Sequence, residues 1–305
     1  MPEAASRPRK PVPVILDTDI GGDIDDTWAL AMMLKCPELD VKLVVSDTGD
    51  TVYRAKIIAR LLEIAGRTDI HVGVGIPFDA RRSYPQGPWV REYDLASYPG
   101  RVHADGVRAI VDTIMGSPEP ITLICIGPVP NIHAALSRQP YIATRASFVG
   151  MHGSLRVGYG GSPTPCAECN VVNHTDACQD VFTAPWDMTI TPLDTCGLVS
   201  LSGAKYHAVR DCRDPVTQAV IENYRIWDAS GGGKHDVENA SSVLFDTVAV
   251  YLAFADGLVV IEELGVRVTD GGYTVVDDSA KHMRCATAWR NLGAFEDLLV
   301  KRLTS

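Results

Sequence analysis

Five aspartates, Asp17, Asp19, Asp23, Asp25 and Asp26, fall within ten residues, and the run joins an apolar β-rich stretch at residues 12–16 to a helix-like one at residues 27–36. A strand that hands over directly to a helix is the opening of a βαβ unit, and open α/β sheets gather their ligands at such strand ends. Carboxylates this close repel one another and stay protonated unless a cation joins them. The junction therefore limits the fold to α/β and points the chemistry at a hard cation with oxygen ligands.

The rest of the chain repeats the alternation. Strands are expected at residues 12–16, 41–46, 71–74, 121–126, 148–151 and 188–191. Helices are expected between them at residues 25–36, 52–65, 103–115, 130–136 and 175–182. Further helical patterns run over residues 216–224, 242–255 and 295–303, and residues 258–277 read as a hairpin about Asp270-Gly271-Gly272. The pattern predicts right-handed crossovers around one open, mostly parallel sheet flanked by helices, a Rossmann-like core. Two stretches rich in Gly and Pro, at 77–100 and 152–173, read as loops. With no internal repeat or linker-like change of composition, one domain is expected over residues 11–305, behind a polar, basic and disordered tail at residues 1–10.

Composition excludes several classes of partner. The formal charge of −10 argues against a nucleic-acid backbone or an anionic membrane surface. No apolar run approaches the ~20 residues that span a bilayer. Eight cysteines in 305 residues are too dilute for a disulfide scaffold, and Cys36, Cys125 and Cys285 lie in apolar runs where a reduced thiol packs as a small hydrophobe. A cytoplasmic setting is the expectation.

The bland account of Asp25 and Asp26 is helix capping, since acidic side chains at a helix start meet unpaired N–H groups and the helix dipole. It does not explain Asp17 and Asp19, which end a buried strand where an unpartnered carboxylate is costly. An EF-hand loop beginning at Asp17 fails, because Gly21 replaces its third ligand and Trp28 its closing Glu. Asp17-Thr18-Asp19 also resembles the first motif of haloacid-dehalogenase-like phosphatases, although Gly21 stands where Thr or Val is usual. Phosphoryl transfer remains an alternative on the residues alone.

The whole run resembles the opening Asp-x-Asp-x-Gly-x-Asp-Asp of the inosine–uridine-preferring nucleoside hydrolase family, with two extra residues before the final pair. Three further stretches match in order: Ile126-Gly127-Pro128-Val129-Pro130-Asn131, Pro165-Cys166-Ala167-Glu168-Cys169-Asn170 and Phe245-Asp246-Thr247-Val248-Ala249. The resemblance implies a nucleoside hydrolase-like fold and calcium-dependent cleavage of ribonucleosides to ribose and free base. It implies that Asp17 binds Ca2+ and takes the proton of the attacking water. Asp26, Asp246 and the Ile126 carbonyl would complete the metal shell. Asp25, Glu168 and Asn170 would hold the ribose hydroxyls, with Met151 against the sugar and Asp47 or Asp50 where a ribose-contacting Asn is usual. A homodimer or homotetramer is the family's usual assembly.

The chain departs from the family at Phe245, where many members carry a His that protonates the leaving base, and at Ser162, where Asn is usual. His235 is a candidate substitute acid, set against a plain solvated loop histidine. Trp227 and Phe245 are candidate base platforms, as are Trp89, Tyr93 and Tyr224, each also explicable as core packing. Phe245 and Ser162 keep open a nucleoside-binding protein without turnover. Cys166 and Cys169 have the spacing of half a zinc site, but no second pair follows and incidental packing is expected. Gly158-Tyr159-Gly160-Gly161 and Gly231-Gly232-Gly233 read as flexible loops at a site mouth.

Overall fold

The computed structural model describes residues 10–78, 83–232 and 235–305. Of the expected N-terminal tail only Lys10 lies within them. Ten strands form one sheet: β1 Val12–Thr18, β2 Leu39–Ser46, β3 His71–Val74, β4 Val102–His103, β5 Ile121–Cys125, β6 Ala146–Met151, β7 Met188–Thr191, β8 Val259–Val268, β9 Thr274–Val276 and β10 His282–Trp289. Their order is β4-β3-β2-β1-β5-β6-β7-β10-β8-β9. Every pairing from β4 to β10 is parallel, and β8 and β9 add antiparallel partners at one edge.

Strand β1 shows why the sheet is buried on both faces. Its apolar run sends Val14 and Leu16 into one core and Ile15 into the other, as period-two alternation requires. The helix Asp25–Leu34 is apolar nearly all round and buried from Asp25 to Met33. It is enclosed by the helices Pro215–Trp227, Thr247–Leu252 and Leu292–Leu303 as well as by the sheet.

The strand order fixes where a ligand site belongs. From β1 the chain moves outward through β2, β3 and β4, then returns to place β5 on the other side of β1. The carboxyl ends of β1 and β5 therefore diverge, which makes the topological switch point of this sheet. Asp17, in register with Val45 of β2 and Cys125 of β5, stands at that point.

Most expected elements are present with shifted ends, and four readings are corrected. The helix expected from residue 103 begins at Gly106, because His103 pairs into β4 and Asp105 caps the helix by accepting from Arg108 N. The helix expected over 242–255 is confined to Thr247–Leu252. Its first part is held non-helical by Ser241 N and Leu244 N, which donate to the carbonyls of Leu201 and Val199. Strand β10 is the third, absent from the expectation altogether. His282, Arg284 and Thr287 break its apolar pattern, and its place is set by long-range pairing with β7 and β8. The loop expected over 152–173 also contains a short helix, Cys169–Val172, capped by Glu168.

Candidate active site

The aspartate run turns from β1 into the helix Asp25–Leu34 through a loop whose carbonyls are held one after another. Arg54 Nη1 donates to Ile20 O at 2.9 Å, Tyr53 Oη to Gly21 O at 3.2 Å and Trp227 Nε1 to Gly22 O at 3.1 Å. Gly21 has φ +96°, and a Cβ there would also meet Tyr53 and Ile57 at under 3 Å, so only glycine fits. Gly127 is equally constrained from the β5 side, where a Cβ would lie 2.9 Å from Asp19 N. The two extra residues of the run are thus part of a clamped turn.

This turn delivers Asp25 and Asp26 at the start of their helix, facing Asp246 at the start of Thr247–Leu252. Carboxylate oxygens of the three residues lie within 4.8 Å of one another, and all three side chains are buried. The Asp25 and Asp246 carboxyls lie close enough to perturb each other's ionisation. Asp26 Oδ1 accepts from Thr18 Oγ1 at 2.5 Å. Burial and the neighbouring carboxylates push Asp25, Asp26 and Asp246 well above the usual carboxylate range.

Asp17 stands at the end of β1, fully buried and outside that group of three. Its Oδ1 accepts from Asn131 Nδ2 at 2.8 Å, and its Oδ2 is buried with no hydrogen-bond partner among the described residues. Burial pushes its carboxyl up to about 7. Asp47, at the end of β2, is also fully buried, and desolvation with the Asp17 and Asp19 charges raises it well above the usual range. The next residue, Thr48, has φ +49°, a strained conformation of the kind that collects at functional turns. Arg54 lies 3.8 Å from Asp19, and no other salt bridge among the described residues reaches the aspartates of the turn.

On the other side of the switch point, Asn170 Nδ2 bridges the carbonyls of Ile126 and Met151 at 3.1 and 3.0 Å, tying the ends of β5 and β6 together. A carbonyl has two lone pairs, so Ile126 O keeps an acceptor site beyond this bond. Glu168 accepts from the N–H groups of Asn170, Gly153 and Val171. Burial nevertheless lifts its carboxyl to about 7. Phe245 packs edge-on to Tyr159, with ring centroids 5.9 Å apart. His235 stacks on Trp227 at 5.1 Å and 15°.

A cavity of about 270 Å3 opens beside the turn, with Asp19, Gly22, Thr48 and Arg54 in its walls and the rings of Phe78 and His174, tilted at 58° with centroids 4.0 Å apart, at its side. Its walls do not include Asp25, Asp26 or Asp246. Trp89 and Tyr224 are core residues, their polar atoms bonded to Glu222 and Ala240 O. Cys166 and Cys169 gain no further ligand: the three aspartates are the one group of three or more potential metal ligands among the described residues.

The positions of Asp17, Asp25, Asp26, Asp246, Ile126 and Asn170 about one end of the sheet suit a hard cation. The buried carboxylates of Asp25, Asp26 and Asp246 are the described group that could hold such a cation, and Asp17 Oδ2 is a buried carboxylate oxygen without a partner among the described residues. Asn131 and Thr18 were not assigned roles from the sequence. Both lie inside the matching motifs, and their partners are 114 and 8 residues away, so only the motif hints at them.

Residues 14–295 match the model of the family described as inosine-uridine preferring nucleoside hydrolase. A pyrimidine-specific ribonucleoside hydrolase, RihA, of Salmonella paratyphi B is 28% identical over 225 residues, covering 69% of this chain and 70% of its own. The plant nucleoside hydrolase PpNRh1 superposes with a TM-score of 0.82 at 21% identity, covering 97% of this chain and 100% of that one. A purine-preferring ribonucleoside hydrolase from Gardnerella vaginalis gives 0.74 at 21% identity, covering 96% and 98%. The chain belongs to the inosine–uridine preferring nucleoside hydrolase family and is an N-glycosyl hydrolase of the ribonucleoside class.

Proposed function

We propose that the protein cleaves the N-glycosidic bond of ribonucleosides by direct attack of water, with Ca2+ held by Asp17, Asp26, Asp246 and the Ile126 carbonyl. The buried group of Asp25, Asp26 and Asp246 carries this reading, since three carboxylates this close are stable as anions only around a cation. Family membership sets aside the phosphohydrolase alternative.

When bound, the cation lowers the pKa of a water and orients it beside the sugar. Asp17 is the general base: Asn131 orients the carboxylate through one lone pair of Oδ1, which leaves Oδ1 able to face the cation while Oδ2 accepts the water proton. Asp25, Asp47, Glu168 and Asn170 hold the ribose hydroxyls, with Met151 beneath the sugar. The carboxylates also favour the positive charge that develops on the sugar as the base departs. Attack opposite the departing base inverts the anomeric carbon. Trp227, His235 and Phe245 form the base side of the site.

All eight cysteines are free thiols, which supports a cytoplasmic location. No helix among the described residues is long and apolar enough to cross a membrane. A homodimer or homotetramer is proposed from the family and is read by light scattering. The test of function is incubation with purine and pyrimidine nucleosides, with and without calcium chelation, followed by a reducing-sugar assay. Ribose release that stops on chelation and returns with Ca2+ supports the proposal; no ribose from any nucleoside overturns it, and release unaffected by chelation removes the cation from it.

A further inference from the structure

We propose that Tyr159 is a positioning residue that joins the two halves of the substrate site, holding Glu168 through its hydroxyl and forming with Phe245 the wall along which the base departs. The inference rests on the nucleoside hydrolase reading and concerns a residue outside the four matching motifs.

Tyr159 sits in a turn closed on itself. Gly158 N donates to Ser162 O at 2.8 Å, and Gly160 and Gly161 adopt φ values of +66° and +77°. These glycines let the chain reverse tightly and present the intervening tyrosine. Ser162, standing where the family usually has Asn, is turned back on its own loop, where its Oγ accepts from Thr164 N. It therefore leaves the reach toward the site to its neighbour.

The tyrosine meets three residues on two segments. Its hydroxyl accepts from Cys169 N at 3.0 Å and donates to Glu168 Oε1 at 3.5 Å. That same Oε1 accepts from Asn170 N at 2.8 Å, so the contact lies on the segment that supplies Glu168 and Asn170. Burial and the Glu168 charge push the phenol up from its usual value, which keeps it a neutral donor. The ring stands at 82° to Phe245, the residue before Asp246. One side chain thus touches the ribose-side carboxylate and the residue that replaces the family's proton-donating His. Phe245 has no proton to give, and an edge-to-face aromatic pair supplies a shaped apolar surface in its place.

The hydroxyl and the ring are separable by mutation. Tyr159→Phe keeps the ring and removes the bond to Glu168; Tyr159→Leu removes both functions while keeping an apolar side chain. Product inhibition of nucleoside hydrolysis by ribose and by free base gives inhibition constants that read the two halves separately from kcat, and thermal melting checks that each variant is folded. Ribose is expected to compete about fivefold more weakly in both variants, the size of one lost hydrogen bond. Free base is expected to compete about tenfold more weakly in Tyr159→Leu alone, the scale of a lost aromatic contact. A Tyr159→Phe variant that binds ribose like the parent, or a Tyr159→Leu variant that binds base like the parent, overturns the proposal while the parent still releases ribose from nucleosides. A parent that releases no ribose from any nucleoside overturns the functional reading, and this one with it.

Discussion

Asn131 donates Nδ2 to Oδ1 of Asp17 at 2.8 Å and so divides that carboxylate into a hydrogen-bonded oxygen and one without a partner among the described residues. The amide is itself fixed. The same Nδ2 donates to Ser46 O at 3.0 Å, and its Oδ1 accepts from Ile76 N at 2.9 Å. Asn131→Ala should free the Asp17 carboxylate to rotate, lowering kcat by about 10–100-fold, the usual loss when the partner of a ligand or base is removed, with little change in KM. Asn131→Asp should be worse than Ala, because it adds a buried charge beside Asp17. Steady-state kinetics on one nucleoside distinguishes these outcomes. Asp17→Ala should abolish turnover.

The buried carboxylates predict how stability responds to pH and metal. Burial raises Asp17 from 3.8 to about 7, and Asp25, Asp26, Asp47 and Asp246 also lie well above their usual value. In the unfolded chain these groups lose their protons near pH 3.8. Between that pH and about 7 the native state therefore binds more protons than the unfolded one, and metal-free stability falls as pH rises. The melting temperature of chelated protein should drop between about pH 5 and about pH 8. Added Ca2+ should flatten that slope, with a shift that grows with pH as the carboxylates ionise. A melting temperature of chelated protein that rises over this interval would contradict the assignment.

The clamp on the aspartate turn gives a third prediction. Trp227 Nε1 donates to Gly22 O, and His235 covers the Trp227 face. Trp227→Phe removes the donor while keeping an aromatic ring, so stability should fall by about 1 kcal/mol. Because the freed carbonyl belongs to the loop that sets Asp25 and Asp26, the calcium concentration for half-maximal activity should rise as well. A urea midpoint and a calcium titration measure the two effects.

What the sequence revealed about this site follows from how locally each part is encoded. The β1-to-helix junction was legible because an apolar run ends abruptly at Asp17 and a helical pattern begins at Asp25. The meeting of Asn170 with Ile126 and of Asp246 with Asp25 and Asp26 was legible only through ordered resemblance, since periodicity carries no information about distant partners. The roles of Tyr53, Arg54 and Thr18 around the turn were not legible, because each depends on where helix Thr51–Ile64 or the helix start lies in space. Strand β10 was hidden for the same reason: its polar residues fit a strand only once β7 and β8 flank it. Helix 242–255 was overread because Leu244 looks helical by pattern but donates its N–H to Val199 O.

Phe245 and His235 predict opposite responses to mutation. Phe245 is apolar, adjoins Asp246 and faces Tyr159, so it offers the departing base no proton. His235 lies parallel to Trp227 beside the aspartate turn and is the imidazole available to that side of the site. Phe245→His should place a donor where the base leaves and raise kcat on nucleosides at about pH 6, where an ordinary imidazole is still protonated. The gain should decline above about pH 6.5 as that imidazole loses its proton. His235→Ala should lower kcat in the parent and little in the Phe245→His variant, whose acid is supplied elsewhere. A p-nitrophenyl riboside, whose leaving group departs without being protonated, should respond to neither change. Equal effects of His235→Ala on nucleoside and nitrophenyl substrates would remove His235 from the role of acid and leave it as packing for Trp227.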